Sequence, residues 1–330
     1  MYNPKNDKKK MKKGKWNFIR STGVLPGTVI CAAALLLWGC EDRNNGTETP
    51  GSDGRVALQV SSGIETRATD TTWEIGDAIG IYMLKAGTTS ISEGAENRRY
   101  FTADGGSAFT TTAEQTIYFP GDGSTVDFTA YYPYRATLPD GAFALDVNNQ
   151  TDLSAIDLMT AAVVTTGAAS LDKSHPKVAF TFRHRLTKLE LKIAAGNGIN
   201  EADLKGLKVE VTRQCTSGSY DLLPGAFSVN PEPVNTVTMN TADDGTLAQA
   251  ILLPTIPVGG INPVITGREF LFTLKTTGEV FRWSVPENKL FGQGDRNIYN
   301  ITINRTGLTV TATIADWNSG NGDGEDGSAE

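Results

Sequence analysis

The sequence predicts an all-β protein: two tandem antiparallel β-sandwiches with few short helices. Three observations lead there. Apolar and polar residues alternate with period two in a succession of short segments. Clusters of Gly, Pro, Asn and Asp separate those segments, and 35 Gly and 14 Pro in 330 residues supply a turn between most neighbours. Helical period is scarce.

In chain order, Val56, Leu58 and Val60 share one face of a first strand spanning 55–62. Trp73, Ile75, Ile79, Ile81 and Met83 then supply core residues around a tight turn at Gly76–Asp77. Val126, Phe128, Ala130 and Tyr132 alternate in the next strand, which Pro133 ends by withdrawing a ladder donor. That places Tyr132 in the core rather than on a sugar-stacking platform. Further strands follow at 178–182, 189–193, 207–211, 270–274 and 281–285. Tyr299, Ile301 and Ile303, then Leu308, Val310, Ala312 and Ile314, close the series. Many short strands with frequent turns argue for sandwiches of the transthyretin or immunoglobulin kind. Two short helices are expected, one after the N-cap residue Asn200 and one over Leu153–Met159.

The ends read differently. Residues 24–40 (VLPGTVICAAALLLWGC) form one apolar run behind seven lysines and Arg20. The run falls short of the roughly 20 residues a spanning helix needs and suits an export signal. Gly39 before Cys40 makes it a bacterial lipoprotein signal, with Cys40 as the acylated terminus of the mature protein. Residues 1–39 are then signal and 40–54 a flexible tether. A polar stretch with Pro176 divides the sandwiches into 55–172 and 173–317, and 318–330 reads as a disordered tail.

Charge and cysteines exclude several functions. The chain holds 30 Lys+Arg and 37 Asp+Glu; residues 1–39 contain eight of the former and one of the latter, so the remainder carries 22 against 36, a net −14. Such a balance repels nucleic acid and anionic headgroups, leaving the lipid on Cys40 as the route to the outer membrane. Lipidation of Cys40 leaves Cys215 without a disulfide partner, so the core is ordinary hydrophobic packing. The two histidines, His175 and His184, lack metal-ligand spacing. No nucleophile elbow is present, and Glu201 stands where the Gly196–Asn197–Gly198 loop would need a third glycine for phosphate. No enzyme, metal or cofactor is expected.

Several segments carry a family resemblance. TRATDTTWEIGDAIGIYM (66–83), VDFTAYYPY (126–134), DLMTA (157–161) and FTFRHRLTKLELKI (180–193) resemble, in order and spacing, the fimbrillin-like pilus proteins of Bacteroidota. The closing NIYNITINRTGLTVTATIADW (297–317) is similar to their C-terminal signature. The resemblance implies a surface lipoprotein acting as a fimbrial subunit or as an accessory or tip adhesin. It implies proteolysis between Arg67 and Ala68, loss of the first strand (Val56, Leu58, Val60), and filling of the vacated groove by a strand from another subunit. Donor strands would then come from Tyr299, Ile301, Ile303, Leu308 and Val310. Expected partners are other pilus subunits, the outer membrane, and a host protein or glycan. The competing reading is a surface carbohydrate-binding lipoprotein of a glycan-uptake system, marked by aromatic rings exposed on one loop face.

Overall fold

The computed structural model describes residues 54–64, 72–164, 171–230, 234–255, 266–287, 289–316 and 323–328. Residues Thr49–Glu330 group as one compact unit. Cys40, Arg67 and Ala68 lie outside the described residues. The first strands are β1 (Gln59–Ile64), β2 (Ala78–Lys85), β3 (Arg98–Phe101), β4 (Ala108–Phe109), β5 (Val126–Tyr132), β6 (Ala142–Asp146), β7 (Met159–Ala161) and β8 (Lys177–His184). There follow β9 (Thr187–Ala195), β10 (Lys208–Cys215), β11 (Ser217–Asp221), β12 (Ala226–Val229), β13 (Val234–Thr238), β14 (Asn240–Thr241) and β15 (Leu247–Leu252). The last are β16 (Glu269–Thr273), β17 (Val280–Ser284), β18 (Asp295–Asn304), β19 (Gly307–Asp316) and β20 (Asp323–Ser328).

The first half is one seven-stranded sheet, ordered β3-β2-β5-β7-β8-β1-β4. Its two ends meet. Phe101 of β3 and Thr110, just beyond β4, exchange N–H···O bonds of 2.8 and 2.9 Å. The sheet therefore curls into a ring, which removes the open edges that invite aggregation. Alternation sends Ile79, Ile81, Met83, Phe128, Phe180 and Phe182 inward, all at most 1% exposed. Each such side chain contributes about 1.5–3 kcal/mol by leaving water.

The second half is a sandwich. A six-stranded sheet, β14-β15-β9-β18-β19-β20, faces a four-stranded one, β13-β10-β16-β17. Leu191, Tyr299 and Ile301 from the first interleave with Val209, Phe270 and Phe272 from the second. The Phe270 and Trp283 rings stack at 5.4 Å.

A three-stranded sheet, β12-β11-β6, joins the halves, because β6 comes from the first and β11 from the second. Beneath it lies a third apolar cluster containing Tyr82, Tyr131, Phe143, Leu186 and Tyr220. β5 is buried on both sides: Val126, Phe128, Ala130 and Tyr132 look into the ring, whereas Tyr131 enters the joint, Asp127 accepts the Gly87 N–H at 2.6 Å and the Thr129 hydroxyl donates to Ala161 O at 3.2 Å.

The structure departs from the sequence reading in several places. The division expected at 172/173 precedes β8, yet β8 belongs to the first sheet, paired with β7 and β1. Both large sheets are mixed, since β1 runs parallel to β8 and β18 parallel to β9. Alternation reports which face is buried, not strand direction, and these partners are distant enough in sequence for long crossovers. The helix expected after Asn200 is one 3-10 turn, Glu201–Leu204, where the Asn200 N–H donates to Asp203 Oδ2 at 2.9 Å. Residues Leu153–Met159 form turns leading into β7 instead of a helix. Ile75 is 78% exposed, at the tip of its turn. Within the tail expected to be disordered, Asp323–Ser328 lies antiparallel along β19. An open edge can be paired by backbone groups alone, without apolar side chains.

Loops are held by carboxylates. Asp104, Asp122, Asp172 and Asp244 accept the N–H two residues ahead at 2.8–3.0 Å, and Asp152 accepts the Ser154 hydroxyl at 2.7 Å. These bonds hold all five carboxyls below the usual aspartate value. A folded-state pKa below the unfolded one gives stability above about pH 3.9 that disappears as pH falls through the depressed values. Burial pushes the Tyr100 and Tyr131 hydroxyls up to about 12 and raises Tyr82 and Tyr132 as well. Their contribution holds below the unfolded value of about 10 and is lost as pH climbs through the raised values. The melting temperature is therefore expected to be level between about pH 5 and 9 and to fall on both sides. Calorimetry across that range checks this; a continuous rise into acid would contradict it.

Candidate assembly site at the first strand

The first strand is seated between two flanks. On one side β1 pairs with β8 in parallel over six residues, from Gln59 opposite Lys177 to Ile64 opposite Phe182. Its first residue is anchored there by the Gln59 N–H, which donates to Pro176 O at 2.8 Å. On the other side Val60 and Ser61 pair with Phe109 and Ala108 of β4. Further bonds run from the Leu58 N–H to Ile117 O (2.9 Å), the Phe119 N–H to Val56 O (3.0 Å) and the Ser62 N–H to Ser107 O (2.8 Å).

The side chains complete the seat. Leu58 and Val60 are 6% and 7% exposed and belong to the ring core; Val56 is half-buried against it. All three expected first-strand residues thus face the ring core. Nothing in the sequence of 107–119 signalled the second flank: β4 is two residues long, and Ile117 and Phe119 sit in irregular chain with no strand period of their own.

Trp73 holds the far end. It stands edge-on to Phe109 at 5.2 Å and to Tyr132 and Phe182 at 5.4 Å. Ile64 and Thr72, which bracket the segment containing Arg67, both line a cavity of about 330 Å³ together with Trp73, Asp77, Asp157 and His184. The Tyr132 hydroxyl donates to Asp77 Oδ1 at 3.1 Å. His184 is 2% exposed, and its Nδ1 lies 3.0 and 2.9 Å from the two carboxylate oxygens of Asp157. Sequence spacing hid this pair, since 27 residues separate its members. Ser154 also lines the cavity, but its single hydroxyl proton goes to Asp152 and so is not donated to His184. Among the described residues no group of three His, Cys, Asp or Glu side chains is arranged to hold a metal ion.

The expected donor residues occupy the opposite kind of position. Tyr299, Ile301 and Ile303 lie on β18, in the middle of the six-stranded sheet between β9 and β19. They are at most 2% exposed, and Leu308 and Val310 on β19 are 4% and 1% exposed. Giving up either strand would open the sandwich core. Tyr131 is 1% exposed, with its hydroxyl 2.7 Å from Asn97 Oδ1, so it offers no exposed ring face. Cys215 ends β10, partly buried against the joint cluster, as an ordinary packing residue would be.

Two solved structures share this arrangement of strands. A crystal structure from Bacteroides uniformis, provisionally described as a cell adhesion protein, superposes with a TM-score of 0.69 at 38% identity, over 81% of this chain and 99% of its own. A second such protein, from Bacteroides ovatus, gives 0.61 at 22% identity, over 80% and 98%. The fold thus places the chain in a class of all-β modules that includes the Bacteroides uniformis structure. The chain belongs to the fimbrillin-like family, whose model matches residues 66–317. It is also 43% identical over 317 residues, 92% of its length and 98% of the relative's, to a Bacteroides uniformis protein provisionally named fimbrium subunit Fim1C.

Proposed function

We propose that this chain is a non-catalytic fimbrial subunit or accessory adhesin, carried to the outer surface as a lipoprotein on Cys40 and matured by loss of its first strand. The observation that carries the reading is β1 itself. It is bonded on both flanks, inserts Leu58 and Val60 into the ring, and leads directly toward Arg67 in the sequence. Cleavage between Arg67 and Ala68 leaves β1 attached by non-covalent contacts alone. Its departure would bare the backbone groups of β8 on one side and of Ala108 and Phe109 on the other, above pockets spaced every second residue. A strand from another subunit satisfies both needs at once. The partners are accordingly other subunits, the outer membrane through the lipid, and an adhesion target on a host surface.

N-terminal sequencing of protein shed from the cell surface tests the reading. A terminus at Ala68 is expected, and Arg67→Ala should retain the longer, lipid-blocked form. A shed protein that always begins at Cys40 would refute maturation by strand loss.

A further inference from the structure

We infer that the cleft between the β6–β7 loop and the β13–β14 turn is a binding site for a neutral saccharide of one or two rings. This goes beyond the assembly reading and does not depend on cleavage. The cleft is shallow and open to solvent, with exposed side chains at Asn148, Asn149, Thr151, Thr238 and Asn240, and measures about 350 Å³, near the lower end of the roughly 300–1,000 Å³ typical of small-molecule sites. Asn148, Asn149, Thr151, Thr238, Asn240 and Thr241 form its walls, with Gln150 and Met239, each 4% exposed, beneath. Every lining residue but Met239 carries a neutral amide or hydroxyl.

The walls are held in place from below. Gln150 pairs with Ile251 as a strand would: its Nε2 donates to Ile251 O at 2.9 Å and its Oε1 accepts the Ile251 N–H at 2.8 Å. The same Nε2 donates to Val147 O at 2.6 Å. The Asn148 N–H and Nδ2 both donate to Asp146 Oδ1, and Asn149 Oδ1 accepts the Thr151 N–H at 3.0 Å. Asn240 Nδ2 reaches Thr151 O at 3.4 Å across the gap. At the rim, Thr238 Oγ1 donates to Glu210 Oε1 at 3.5 Å.

What remains uncommitted is a matched set. Asn148 Oδ1, Asn149 Nδ2, Thr151 Oγ1 and Asn240 Oδ1 make no hydrogen bond among the described residues. Two amide acceptors, an amide donor and a hydroxyl that does both suit a ligand whose every polar group donates and accepts, as sugar hydroxyls do. An ionised ligand finds no counter-charge in the lining, and a peptide finds only Met239 for its apolar side chains. With no aromatic ring in the lining, discrimination rests on hydrogen bonds, and binding is weak for one module.

Saturation-transfer NMR on the mature chain tests the assignment, with methyl glycosides of neutral hexoses, N-acetylglucosamine, sialic acid and short peptides as probes. The expected result is transfer to at least one neutral glycoside at millimolar concentration and none to sialic acid. Asn149→Ala and Asn240→Ala should each weaken it about tenfold, the loss of one good polar contact. Unchanged melting temperatures in these surface variants separate lost binding from lost folding. Transfer that persists in the double variant, a response to peptides or sialic acid alone, or no response from any neutral glycoside overturns the assignment.

Discussion

A protein shortened to begin at Ala68 will take up a synthetic peptide of residues 55–64 and be stabilised by it. The peptide brings Leu58 and Val60, each contributing about 1.5–3 kcal/mol on burial, and the hydrogen bonds that pair β1 with β8, β4 and Ile117. At a hundredfold excess over its dissociation constant, such a ligand stabilises the folded protein by about 2.7 kcal/mol. Thermal melts with rising peptide concentration measure this directly. A peptide carrying Leu58→Asp and Val60→Asp should give no gain, because burying an unpaired carboxylate costs more than the ladder returns. If the shortened protein melts where the whole one does and ignores both peptides, the seat is not a groove.

Trp73→Ala will destabilise the chain by about 3–5 kcal/mol, as for other buried aromatics cut to alanine. Trp73 touches Phe109, Tyr132 and Phe182, and so joins the β4 flank, the β5 wall and the β8 flank of the first-strand seat. Its loss leaves a void that three separate elements cannot close by one small movement. Ile75→Ala, two residues away, should stay within about 0.5 kcal/mol, because Ile75 is 78% exposed. Urea unfolding of the two variants side by side decides the matter, and equal losses would mean the ring is not keyed by Trp73.

These two positions also show how far the sequence could be read. Trp73 and Ile75 both looked like core residues, because period two assigns alternate positions to one face and says nothing of where a turn lifts the chain away. Long alternating runs transferred well: the β5, β9, β16 and β18 segments all carry their expected apolar residues inward. Short elements did not. β4 has two residues and β7 three, too few to show any period, yet β4 flanks β1 and β7 links β5 to β8 in the ring. The division between the halves was misplaced because the polar stretch around Pro176 signals a turn and cannot say which sheet the next strand joins. At the site, Leu58 and Val60 were legible from alternation, whereas the Asp157–His184 pair and the amide-lined cleft were not. Both bring residues together from distant segments, for which local pattern carries no information.

The parallel pairing of β1 with β8 has a mechanical consequence. A strand in that seat, pulled along its own axis, slides lengthwise against β8 and is not peeled away from it. Tension then falls on all six rungs at once instead of opening them singly, and slippage by one residue would turn Leu58 and Val60 out of the ring. Resistance to rupture in this geometry scales with the whole six-residue overlap.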